Sequence, residues 1–274
     1  MARKLLENVR NQWMGALALF LVLTGGSAYA LSGSNNATPL RAHAAHGRCA
    51  PTVAGTGAMV KVGSFCIDKY EASVWSSPRG GTQYGVSSDD YPCNDNGQNC
   101  SNIYARSVAG VKPARHITWF QAQQALANSG KRLPSNGEWQ EAVRGTPDAG
   151  PDNGTTDCNT GAAGTPNGTG SLVGTGSRSS CVSDWGAYDM VGNVNEWVAD
   201  WVPASNSCPG WGAVGNFSSD DTMCLSGAST TARAPGALVR GNDFGGHMSA
   251  GPFTVYGFNP PSSSNQYVGF RGAR

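Results

Sequence analysis

The feature that most constrains this chain is its set of eight cysteines, Cys49, Cys66, Cys93, Cys100, Cys158, Cys181, Cys208 and Cys224, all of which follow a stretch that reads as an export leader. Arg3, Lys4 and Arg10 precede an apolar run from Met14 to Thr24, and Ala28, Tyr29 and Ala30 give the small-x-small pattern of a cleavage site. Residues 1–30 are therefore expected to be removed as a signal peptide. The apolar run is shorter than the roughly 20 residues of a spanning helix, and the open alternative is an uncleaved anchor extended through Gly25 to Ala30. An even number of cysteines in an exported chain argues for disulfides, although eight admit on the order of a hundred pairings. Closeness in sequence favours Cys49 with Cys66, Cys93 with Cys100, Cys158 with Cys181 and Cys208 with Cys224, each closing a loop rich in Gly, Asn, Ser or Asp. A zinc site is the rival. No C-x-x-C pair exists, however, and the only ligand-like spacing, His43, His46 and Cys49, sits in a polar, Ala-rich stretch.

Composition narrows the partners. Charged residues make up 14% of the chain, against roughly 25% in an ordinary soluble domain. A nucleic-acid reader built on basic stripes is excluded on that ground. The 38 Gly and 15 Pro point to many loops, while 8 Trp, 8 Tyr and 8 Phe supply enough aromatic bulk for a core and exclude disorder.

Residues 31–48 read as a flexible linker, because they offer little to bury and Pro39 discourages a helix. The folded domain is expected over residues 49–274. Val60 to Ala72 is β-branched and aromatic enough for a pair of short strands, and Trp75 to Asn102 reads as loop. Thr118 is placed to cap a helix running to Ser129, with Trp119, Ala122, Ala125 and Leu126 on one face and Gly130 ending it. Ser135 and Glu138 form the S-x-x-E capping box of a second helix, with Trp139 and Ala142 inward and Gly145 stopping it. Residues 146–183 are too long for a structureless connector unless the Cys158–Cys181 pair or a calcium ion ties them down. Strand-like stretches recur at Ala237 to Arg240, Phe253 to Phe258 and Val268 to Arg271. Two helices among short strands give an α+β class.

Four phrases in fixed order carry a family resemblance. They are Pro113 to Trp119 (PARHITW), Lys131 to Trp139 (KRLPSNGEW), Gly186 to Trp197 (GAYDMVGNVNEW), and Val239-Arg240-Gly241 closing with Val268-Gly269-Phe270-Arg271. Together they resemble the formylglycine-generating enzyme, or sulfatase-modifying-factor, domain family over about residues 60–274. The resemblance implies a loop-rich variant of the C-type lectin fold, with two main helices and short antiparallel strands. It also implies calcium near the Gly-Asn-Val-x-Glu-Trp phrase, for which Asn193 and Glu196 are candidates and Asp157 a weaker one. The alternative for these side chains is capping of backbone groups. Arg132 and Arg271, each beside apolar residues, suit guanidinium bridges to carbonyls or a carboxylate.

Catalytic members of the family oxidise a sulfatase cysteine with copper held by two cysteines, because soft thiolates are what Cu(I) requires. The matching positions here are Gly246 and Gly251. No copper is expected, and no catalytic residue is assigned. Asp68 with Glu71 reads as a solvated strand end. No Gly-x-Ser-x-Gly elbow, phosphate-binding loop or His-Glu-x-x-His motif is present.

Between the framework phrases, Phe244, Ser249, Phe253, Tyr256, Phe258 and Tyr267 alternate with small residues in the manner of a paratope, where aromatic rings give contact area at low entropic cost. This segment also resembles the variable region of diversity-generating retroelement proteins. The alternative is a fixed loop with Phe253 and Phe258 in the core. The leading expectation is a secreted or cell-envelope binding module for a protein or surface ligand, with any membrane contact only through the N-terminal segment. A formylglycine-type oxidase with other metal ligands and a structural envelope protein are the competing expectations.

Overall fold

The computed structural model describes residues 49–148, 150, 152–161, 168–213 and 219–274. The segments read above as signal peptide and linker, with His43 and His46, lie outside the described residues. The described residues belong to one compact unit.

Among the described residues, three sheets and two α-helices make up this unit. Strands β1 (Met59–Val62) and β2 (Phe65–Asp68) form an antiparallel hairpin. Strand β3 (Ala72–Ser77) lies between β4 (Gly80–Tyr84) and β5 (Tyr104–Ser107), antiparallel to both. The expected loop from Trp75 to Asn102 is thus partly a hairpin. Its turn uses Gly80 at φ 129°, a conformation that glycine adopts without steric penalty.

Helix α1 (Trp119–Asn128) and helix α2 (Asn136–Ala142) begin where the sequence placed them, each with a closed capping box, Thr118 with Gln121 and Ser135 with Glu138. Helix α1 buries Gln121, Ala122, Ala125 and Leu126. Trp119 is only partly buried, and its indole N–H donates to the Val198 carbonyl at 2.8 Å.

The largest sheet runs β10-β6-β8-β9-β7, with β6 at Asn195–Val202, β7 at Met223–Cys224, β8 at Gly236–Arg240, β9 at Val255–Asn259 and β10 at Val268–Phe270. Its inner pairings are antiparallel, whereas β10 with β6 and β7 with β9 are parallel. Strand β6 carries the second half of the Gly-Asn-Val-x-Glu-Trp phrase. Asn195 to Val198 are all buried, so the charged phrase runs through the interior.

Two apolar clusters flank this sheet. One holds Val74, Ile103, Ile117, Leu126, Leu133, Trp197, Val239 and Phe270, the other Val62, Ile67, Trp139, Met190, Val198, Leu238 and Val255. All eight cysteines are paired, Cys49–Cys66, Cys93–Cys100, Cys158–Cys181 and Cys208–Cys224, so each bridge joins sequence neighbours. The Cys158–Cys181 bridge staples the long Gly- and Thr-rich connector. Among the described residues, no helix is long and apolar enough to cross a membrane.

Candidate ligand-binding edge

The framework phrases converge on a buried polar centre. Arg271, fully buried, lays its guanidinium against Glu196 with Nε–Oε and Nη–Oε distances of 2.5–2.7 Å, and donates to the carbonyls of Asp68, Tyr188 and Asp189. The Trp139 indole N–H takes Glu196 Oε2 at 2.7 Å. Asn193 is equally committed. Its Oδ1 accepts from Asn159 and the Val173 N–H, and its Nδ2 donates to Glu71 at 2.5 Å.

Both Glu196 oxygens accept from a guanidinium and an indole, and the Asn193 amide is held by protein partners, so these two residues knit the interior. Asp157 stays near the surface and accepts from Thr156 at 3.4 Å. Asp68 and Glu71 are also corrected, being fully buried rather than solvated. Asp68 pairs with Lys131 at 2.7 Å, and Glu71 accepts from the Val194 N–H. Burial raises the Glu71 and Asp68 carboxyls above their ordinary values and lifts Asp189 to about 6, with the neighbouring Glu196 charge adding to the rise at Asp189. Arg132, by contrast, makes a half-exposed bidentate pair with Glu138.

The copper test fails in the same region. A Cβ on Gly246 would stand 2.6 Å from the Asn242 side chain, and one on Gly251 only 1.8 Å from Asp221 Oδ1. Neither position offers a ligand, and every cysteine is in a disulfide. The residues present do not fit a thiolate copper centre.

Accessible aromatic surface includes β9 and its flanking loops. The strand alternates, with Val255 and Gly257 inward and Tyr256 and Phe258 on the other face, their rings 5.5 Å apart at 80°. Phe258 is 43% exposed and Tyr267 40%. Phe244 packs on Tyr267, centroids 5.5 Å apart, next to Asn195, whose amide donates to Asp243. Phe253, at the surface as well, packs edge-on against Trp211, whose indole N–H donates to the Phe253 carbonyl. Ser249 is exposed in a short 3-10 turn, His247–Ser249. The six sequence candidates thus form two aromatic pairs, a fifth ring paired with Trp211, and one separate hydroxyl.

Phe253 and Trp211 also wall a cleft of about 380 Å³, completed by Leu225 and Val255 and floored by Arg240, Asn136 and Gln140. The Arg240 guanidinium is held by Asn136 Oδ1, Gln140 Oε1 and the carbonyls of Pro252 and Thr254, and lies 4.4 Å from the centroid of the Trp139 ring. Burial lowers its pKa to about 10, which leaves it charged at neutral pH. An apolar wall over a few fixed polar groups is the usual make-up of a small-molecule or side-chain pocket. Sequence reading missed Trp211 and Leu225. The available signal was a tryptophan in a Gly-rich loop closed by the Cys208–Cys224 bridge.

The sulfatase-modifying factor enzyme 1-like domain family matches residues 15–274. No curated protein matches the chain. Among solved structures, the I1 variant of the Major Tropism Determinant is similar at 20% identity and a TM-score of 0.49, over 81% of this chain and 54% of that one. The P3c variant gives 19%, 0.48, 82% and 54%. PvdO from Pseudomonas aeruginosa gives 19% identity and 0.44, over 77% of this chain and 80% of its own. The chain therefore spans about half the length of the Major Tropism Determinant structures.

Proposed function

We propose that this chain, which belongs to the sulfatase-modifying factor enzyme 1-like domain family and has the C-type-lectin-like fold of its formylglycine-generating members, is a non-catalytic binding module of the cell exterior or envelope. Its ligand is a protein or other surface molecule, taken on the aromatic edge between Phe244 and Tyr267. The observation that carries this reading is the exposure of Phe253, Phe258 and Tyr267 in the segment whose Gly246 and Gly251 replace the thiolates of a copper oxidase. Four disulfides fit an oxidising compartment, and they leave no thiol for redox chemistry.

Rings held at the surface by a sheet suit recognition because they bury large area without losing many rotamers. Strand β9 fixes Tyr256 and Phe258, and the Asn195 contact to Asp243 steadies the loop that presents Phe244. Full-length protein screened against extracellular proteins and glycans should retain at least one component. Introducing Phe258→Ser with Tyr267→Ser should weaken that interaction by roughly tenfold or more, the scale of an aromatic hot spot, with the thermal midpoint unchanged. Equal retention by the double variant, or stoichiometric copper with thiol-oxidase activity in the purified protein, would defeat the reading.

A further inference from the structure

Asp148, Asp220 and Asp221 each offer a carboxylate oxygen, and these oxygens lie within 4.8 Å of one another. They come from the loop after α2 and from the turn that enters β7. Gly251 explains how they meet. A Cβ there would stand 1.8 Å from Asp221 Oδ1 and 2.6 Å from Asp148 Oδ1, so both oxygens converge over a backbone that carries no side chain.

Asp221 supplies a second, separate observation. The residue is 1% exposed, its Oδ2 accepts from the Phe253 N–H at 2.6 Å, and its Oδ1 has no hydrogen-bond partner. A buried carboxylate oxygen left without a donor is costly, and such an atom facing two further carboxylates is accounted for by a cation. Arg240 makes no hydrogen bond to that oxygen; its guanidinium donates to Asn136, Gln140, Pro252 and Thr254.

We propose that Asp148, Asp220 and Asp221 form a calcium site, with Asp221 Oδ1 as the buried ligand and the exposed Asp148 and Asp220 closing it from solvent. Ligand number selects the ion. Three protein carboxylates suit the flexible, all-oxygen shell of Ca²⁺, whereas Mg²⁺ keeps several waters and is bound through one or two. Hard carboxylates also stand beside the position where an oxidase would place a soft thiolate, so the donor set has changed in kind as well as in place. Because Asp221 Oδ2 holds the Phe253 backbone, the bound ion would fix one wall of the cleft. The site does not depend on the binding role proposed above.

Calorimetric titration of chelator-treated full chain with CaCl2 should show one site with Kd of roughly 10⁻⁴–10⁻³ M, the range of extracellular calcium modules. The thermal midpoint should rise with CaCl2 and respond less to MgCl2. Asp148→Asn and Asp220→Asn, both at exposed positions, should each weaken calcium by roughly tenfold or more while melting like the parent in chelator. Asp157→Asn should bind calcium as the parent does. Absence of calcium binding by the parent, parent-like affinity in both Asp148→Asn and Asp220→Asn, or loss of binding in Asp157→Asn would each overturn the proposal.

Discussion

Arg271 and Phe258 belong to opposite sides of the same five-stranded sheet and live by opposite rules. Arg271, just past β10, is sealed from water and answers every donor with a carboxylate or carbonyl. Phe258, on β9, keeps 43% of its surface in solvent and touches mainly Tyr256. Polarity is buried where the framework needs a unique arrangement, and apolar area is left outside where a partner can use it. The hydrophobic rule is inverted twice in one sheet, and each inversion marks a different task.

The comparison breaks most sharply at the guanidinium. Arg271→Met leaves Glu196 buried without its counter-charge and should lower stability by about 3–5 kcal/mol, read by denaturant unfolding. A loss under about 1 kcal/mol would show that the centre is not the keystone it looks. Next comes the staple on the connector. Cys158→Ser with Cys181→Ser should cost about 2–5 kcal/mol in the same assay, because the bridge restricts a long, Gly-rich loop in the unfolded chain.

The polar centre should also respond to acid in an unusual direction. Asp189, Glu71 and Asp68 have folded-state pKa values above their ordinary ones, about 6 for Asp189. The folded state therefore holds protons that the unfolded chain releases above pH 4, and stability contributed by these groups is lost as pH rises from about 4 through 6. Thermal midpoints measured across that window should fall with rising pH, and Asp189→Asn should flatten the slope. At the other side of the sheet, Phe258→Ser and Tyr267→Ser should shift stability by less than about 0.5 kcal/mol each, as surface substitutions do. A larger loss would move those rings into the core and erase the contrast.

How much of this was legible in the sequence depended on whether a signal was local. Helix caps were legible because Thr118 with Gln121 and Ser135 with Glu138 act within one turn. The Arg-Leu-Pro, Gly-Asn-Val-x-Glu-Trp and Gly-Phe-Arg phrases carried the fold. Strand β6 was not legible, since Asn195 and Glu196 look like surface residues until Arg271 arrives from 75 positions away. Asp68 was misread for the same reason, its partner Lys131 being 63 positions distant. The Asp148, Asp220 and Asp221 cluster has no sequence spacing to reveal it, because a missing side chain at Gly251 is what lets the carboxylates meet.

Arg274 exchanges two backbone hydrogen bonds with Cys66, and Ala273 does the same with Arg132. The first hairpin, the half-cystine at its centre and the Arg-Leu-Pro phrase are thus completed by residues that follow them by about 140 to 210 positions. Such long-range closure makes the search for the native state slow, and until Arg271 to Arg274 have been made Glu196 has no counter-ion and Cys66 lacks its backbone partner. The order in which this chain emerges, as much as its final contacts, sets its demand for disulfide isomerisation.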